Sequence, residues 1–168
     1  MKKEFINVGT IVNAHGIRGE VKVNPEGFDP EFIAAFQRLF LNGEEVSVKA
    51  ARVHNSTVLI TLPGVEDMDA ALALKGKKVA IARADAVLPE NEYFDAELEG
   101  CTVLDAADDR EIGVLKRVLT YPAHKVYEVK GEKEYLIPAV SGVFIDSVDI
   151  DAGLVRVKMM KGLAVDEN

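Results

Sequence analysis

Apolar and polar residues alternate along most of this chain in short runs, broken at close intervals by turn residues. Phe5–Val12 reads as a first strand, and Glu20-Val21-Lys22-Val23 repeats the period-two pattern of a half-buried strand. Between them, Ala14-His15-Gly16-Ile17-Arg18-Gly19 reads as a glycine-bounded turn. Asp29-Pro30-Glu31 predicts a helix start, with Asp29 as N-cap, a proline at the first helical position and an acid in the first turn, the helix running through Phe32, Ile33 and Phe36. Leu39-Phe40-Leu41 and Val46-Ser47-Val48 flank Asn42-Gly43, the sequence signal of a tight hairpin. Strands are predicted at Ala51–His54 and Thr57–Leu62 around an Asn55-Ser56 turn. A short helix is predicted from Glu66 to Lys75, stopped by Gly76, followed by a strand over Lys78–Ala82.

Val87-Leu88-Pro89-Glu90-Asn91-Glu92 interrupts this pattern with proline and polar residues and leads into Tyr93-Phe94. It is read as an inter-domain linker, giving domains at 1–86 and 95–168 joined by 87–94. Beyond it, strands are predicted at Thr102–Leu104, Glu111–Leu119, Lys125–Val129, Glu134–Ile137, Val143–Asp146 and Leu154–Met159. Short strands at such spacing predict an all-β barrel or sandwich.

Charge sharpens the boundary. Residues 1–88 carry 11 basic and 11 acidic side chains, whereas residues 89–168 carry 9 and 17, so the whole net charge of −8 lies in the second half. That half repels phosphate and suits a basic protein partner, although acidity also serves solubility. The 168 residues are 48% hydrophobic, enough for two small cores. The least polar stretch, Leu136–Ile145, is broken by Pro138, Ser141 and Gly142 and is too short for a membrane helix. Asn7 and Gly9 break up the N-terminal apolar residues, so no signal peptide is expected. The single Cys101 forms no internal disulfide, which fits a reducing cytoplasm.

Candidate chemistry is sparse. His15, His54 and His124 are far apart in sequence, with no companion ligands at metal-binding spacing. The chain carries no nucleophile elbow, phosphate loop or dinucleotide fingerprint. Asp108-Asp109 fits a solvated turn better than an acid–base pair, and Cys101 fits a buried thiol. No enzyme, cofactor or metal is therefore expected. The feature with functional content is the loop His15-Gly16-Ile17-Arg18-Gly19. Its glycines allow positive φ and close backbone approach, presenting Arg18 at a tip beside His15. Such a loop suits a phosphate or a base face; a tight hairpin with its arginine in water is the alternative.

Val8-Gly9-Thr10-Ile11-Val12-Asn13-Ala14-His15-Gly16-Ile17-Arg18-Gly19-Glu20-Val21-Lys22-Val23 resembles the opening signature of the ribosome maturation factor family RimM. Leu88–Phe94 resembles that family's linker, which ends in an aromatic pair. Leu98–Val103, Ile112–Leu115, Leu136–Val140, Val148–Val157 and Gly162-Leu163 resemble successive parts of its C-terminal barrel. The ordered set spans nearly the whole chain. Two departures stand out: Pro122-Ala123-His124-Lys125 replaces a common Gly-Ala-x-Asp turn, putting a base where an acid is usual, and Tyr93-Phe94 replaces two tyrosines.

The resemblance implies an N-terminal six-stranded barrel like those of translation factors and a C-terminal barrel of the photosynthetic-reaction-centre (PRC) type. It implies a protein that binds the immature small (30S) ribosomal subunit near its head and assists assembly and 16S rRNA processing; a cytoplasmic, monomeric protein without membrane contact is expected. The implied protein partner is the basic small-subunit protein nineteen. His15, Gly16, Arg18 and Gly19 are then the candidate rRNA contacts. Acidity steers a partner without specifying it, so an apolar anchor is also expected. Tyr93, Phe94, Tyr135, Ile137, Pro138 and Phe144 are the candidates, with burial as the alternative for each and docking at the protein's own domain interface as the alternative for the linker pair Tyr93-Phe94. Strand alternation sets Tyr135 and Ile137 against Leu136 on opposite faces, and the pattern does not say which face is core. A flavin- or cofactor-binding barrel and a generic protein-interaction barrel are the competing readings.

Overall fold

The computed structural model describes residues 2–165; Met1 and residues 166–168, which fall within the expected domain bounds, lie outside the described residues. The chain divides into two compact units, Glu4–Val87 and a second running from Leu88 onward that also takes in the N-terminal residues through Lys3. Within the second unit the Lys3 backbone N–H donates to the Glu97 carboxylate at 3.0 Å, and Glu97 is buried.

The first unit contains strands β1 (Phe5–His15), β2 (Glu20–Pro25), β3 (Arg38–Leu41), β4 (Glu44–Ser47), β5 (Ala50–His54), β6 (Thr57–Thr61) and β7 (Lys78–Ala82). Helices α1 (Pro30–Ala34) and α2 (Met68–Leu72) and a 3-10 turn at Arg83–Asp85 accompany them. The sheet order is β4-β3-β7-β1-β2-β6-β5, which places β4 and β5 at opposite edges although only Val48 and Lys49 separate them in sequence. Val48 N–H donates to Gln37 O beside β3 at 2.8 Å, and Lys49 N–H donates to Thr61 O of β6 at 2.9 Å. So short a link can join both edges only if the sheet curls round. β4 and β5 are thus two halves of one bent strand, and on that count the barrel has the six strands expected. The long β1 follows the curl through bulges between Asn7 and Gly9 and between Ile11 and Asn13. Ile6, Val8, Ile11, Val21, Val23, Val58, Ile60, Val79 and Ile81 are buried, and each such side chain stabilises the fold by roughly 1.5–3 kcal/mol.

The second unit contains α3 (Asp95–Leu98), β8 (Thr102–Asp105), β9 (Glu111–Thr120), β10 (Lys125–Lys130), β11 (Glu134–Pro138), β12 (Ile145–Asp149) and β13 (Leu154–Val157). Its order is β11-β10-β9-β8-β13-β12, with β8 and β13 parallel. The chain after β13 returns to the far edge: Leu136 N–H donates to Leu163 O at 2.9 Å and Val165 N–H to Glu134 O at 2.8 Å. The core comprises Leu98, Cys101, Val103, Ile112, Leu115, Tyr127, Val129, Ile137, Ile145, Val155, Val157 and Leu163.

Local differences from the sequence expectations have physical causes. The turn begins at Gly16, because Ala14 and His15 stay paired with Val21 and Glu20. Asp29 occupies the N-cap position of α1 but its side chain makes no capping bond. The second helix is shorter than Glu66–Lys75: Asp67 caps it, accepting from Ala70 N–H at 2.7 Å, and the backbone turns after Leu72 until Gly76 N–H donates to Ile11 O at 2.7 Å. The strand expected from Val143 begins at Ile145, since Val143, Phe144 and Ile145 N–H groups all turn back to Val140 O. The last strand ends at Val157 rather than Met159, and α3 was not expected.

Candidate nucleic-acid interface

The loop between β1 and β2 is built on two glycines with different duties. Gly16 (φ +69°) has open space where a side chain would stand, so it serves the backbone turn alone. Gly19 (φ +92°) is buried, and a Cβ there would lie 2.3 Å from the Val65 carbonyl oxygen. The loop is thereby pressed onto the segment leading to α2, and Ile17 (76% exposed) and Arg18 project from it. Among the described residues Arg18 makes no hydrogen bond or ion pair, although its charge reaches Glu20.

The structure adds two side chains that the sequence reading left aside. His54, at the end of β5, lies against His15, with ring centroids 5.1 Å apart and planes tilted by 53°. Arg52, two positions earlier on β5, donates through Nε and Nη2 to both Glu20 oxygens, at 3.1 and 3.0 Å. Glu20 is itself the cross-strand partner of His15. Arg52 holds the Glu20 carboxyl below its ordinary value against the opposing effect of desolvation, and His15 and Arg18 add to the lowering. His15, Arg18 and Arg52 therefore gather around the Glu20 carboxylate, and His54 joins them through its contact with His15. Arg52 and His54 share a strand face by alternation, a signal present in the sequence, but their approach to His15 depends on the sheet assembling.

In the second unit, the candidate anchors separate by burial. Phe94 is 2% exposed and Ile137 is fully buried, so neither is a surface contact: one ring and one core side chain are already used by the fold. Tyr135 faces the core with Ile137, and Leu136 is the side chain that points outward. Tyr93 and Phe144 are half-buried and pack against the core with part of each surface accessible, and Pro138 is half-buried at the end of β11. The unusual base of the β9–β10 turn has a partner: Lys125 Nζ donates to Asp95 Oδ1 of α3 at 2.8 Å.

Among the described residues no three His, Cys, Asp or Glu side chains converge as a metal site, and no helix is long and apolar enough to cross a membrane.

Comparison with known proteins covers both units. The RimM N-terminal domain model matches residues 6–86, and the RimM PRC barrel domain model matches residues 95–163. A ribosome maturation factor RimM from Clostridium botulinum is 36% identical over 95% of this chain and 96% of its own length. One from Clostridium tetani is 33% identical over 95% of this chain and 96% of its own. A RimM crystal structure from Pseudomonas aeruginosa is 30% identical, covers 93% of this chain and 98% of that one, and superposes with a TM-score of 0.46. With both domain models matched in order and relatives aligned end to end, this chain belongs to the RimM family of ribosome maturation factors.

Proposed function

We propose that this protein is a cytoplasmic, monomeric assembly factor that binds the immature small (30S) ribosomal subunit near its head and assists 16S rRNA processing. The observation that carries the proposal is the family match across both domains, which brings the whole two-barrel architecture of a maturation factor to this chain. Each barrel has a surface suited to one kind of ribosomal component. In the first, Arg18 stands unpaired on a glycine-anchored loop beside His15, a geometry suited to RNA phosphate. The second carries the chain's net negative charge, which suits a basic protein of the subunit head such as small-subunit protein nineteen, with Tyr93, Pro138 and Phe144 as accessible apolar contacts.

Sedimentation of cell extract tests the proposal: the protein should travel with free small subunits and be absent from mature ribosomes. A pull-down with the purified basic protein, titrated with salt, tests the second surface. Binding that weakens as salt rises supports it; binding indifferent to salt removes its electrostatic half. A protein found only at the top of the gradient would overturn the proposal.

A further inference from the structure

Two imidazoles in contact beside two guanidinium groups form an arrangement with a consequence for ligand binding. His15 and His54 come from β1 and β5 and meet at 5.1 Å, both half-buried. The charged groups around them are Arg18 in the loop, Glu20 and Lys22 on β2, Arg52 on β5, and Glu66 beyond the Val65 carbonyl that covers Gly19; Asp67 and Asp69 belong to the α2 segment that follows. Glu20 is already committed to Arg52 through two hydrogen bonds. Arg52 and Glu20 thus satisfy each other, and Arg18 is left as the cation of this group without a hydrogen bond or ion pair among the described residues.

We propose that His15 and His54 together form a phosphate-binding site at this end of the first barrel, and that an RNA phosphate entering it brings a proton onto the pair. The proposal rests on the reading of the Arg18 loop as an RNA contact and assigns His54 to the same site.

The physical reason is linkage. A phosphate at the site places a negative charge beside the imidazoles and so favours their charged form in the bound state. A group that is more readily protonated in the bound state takes up protons on binding, so affinity rises as pH falls. Histidine is the side chain whose ordinary charge change falls in the neutral range, so the effect belongs between about pH 6 and 8. Among the described residues no third His, Cys, Asp or Glu joins the pair to complete a metal site, and the exposed, unpaired Arg18 beside it suits an anion.

Calorimetry of the full chain with transcribed 16S rRNA, in two buffers of different ionisation heat at neutral pH, reads the proton uptake directly. The expected result is net uptake approaching one proton, with affinity falling about tenfold between pH 6 and 8. In the His54→Gln protein, uptake should shrink and the pH dependence flatten to about twofold or less. His15→Gln should do the same, and circular dichroism checks that each variant is folded. If a variant fails to fold, uptake by the unmodified protein decides. RNA binding without proton uptake, or uptake that survives in both folded variants, overturns the proposal and leaves the RNA contact of the loop standing. Absence of RNA binding at every pH overturns both.

Discussion

Gly19 lies against the carbonyl oxygen of Val65 so closely that a single added carbon would come within 2.3 Å of it. That contact and the positive φ of +92° apply at one position, whereas Gly16 in the same loop combines φ +69° with open space. Gly16→Ala should cost about 1–2 kcal/mol, the penalty for a side chain in the left-handed region. Gly19→Ala should cost about 3 kcal/mol or more, because steric overlap with backbone adds to the conformational strain. Denaturant unfolding of the two variants compares the values; equal losses would show that the Val65 contact yields freely.

Arg18→Ala isolates the function of the loop from its structure. The guanidinium is exposed and without a hydrogen-bond partner among the described residues, so its removal should leave the melting temperature unchanged. Binding to small subunits should weaken by about 1–3 kcal/mol, the loss of a charge-assisted hydrogen bond. A lower melting temperature with intact binding would make the loop a structural hairpin.

The aromatic pair divides. Phe94, at 2% exposure, should behave as a core residue, and Phe94→Ala should destabilise the protein by about 3–5 kcal/mol. Tyr93 retains an accessible part, so Tyr93→Phe should leave stability nearly intact and Tyr93→Ala should weaken capture of the basic ribosomal protein. Thermal melts paired with pull-downs separate the two. Unaltered capture by Tyr93→Ala removes the tyrosine from the interface.

Tyr127 gives the second barrel an alkaline signature. Burial, with lesser contributions from Asp95, Tyr93 and Cys101, pushes its phenol from 10.0 up to about 12. Between those values the unfolded chain has released a proton that the folded chain retains, so stability is full below pH 10 and falls as pH rises toward 12. Ultraviolet titration of phenolate should show one of the 4 tyrosines ionising late, and Tyr127→Phe should remove that late step. A titration completed before pH 11, with the protein still folded by circular dichroism, would contradict the burial argument (about one unit above the ordinary tyrosine value).

We propose that the segment 87–94 acts as an accessible linker. Val87 is 91% exposed, Pro89 to Glu92 are exposed, and Asn91 takes a positive φ of 65°. Limited proteolysis should cut there first and leave two resistant fragments. First cuts elsewhere, with this segment intact, would count against the assignment.

Much of this architecture is legible in the sequence because strands and tight turns are written locally. Asn42-Gly43 and Asn55 announce hairpins through residues that tolerate positive φ, and both hairpins form with Asn42 at 48°, Gly43 at 88° and Asn55 at 55°. Period-two alternation located β2, β7 and β10 to within a residue or two, since a half-buried strand must sort its side chains between two faces. The family resemblance, carried by ordered motifs, added the barrel types that alternation cannot distinguish.

Tertiary structure decided what depends on distant segments meeting. Alternation placed Tyr135 and Ile137 opposite Leu136, but only the assembled sheet made the first pair the inner face, because burial belongs to the whole sheet and not to one strand. Phe94 looks like a linker aromatic in sequence and is buried in the structure, since its surroundings come from elsewhere in the chain. His54 carries no sequence sign of a partner, yet its ring meets that of His15 although β6 and β2 lie between β5 and β1 in the sheet. The sequence by itself therefore determined the strands, the turns and the exposed Arg18 loop, all set by neighbouring residues. The fold decided which faces are spent on the core and which side chains gather around that loop, because both depend on contacts between segments far apart in the chain.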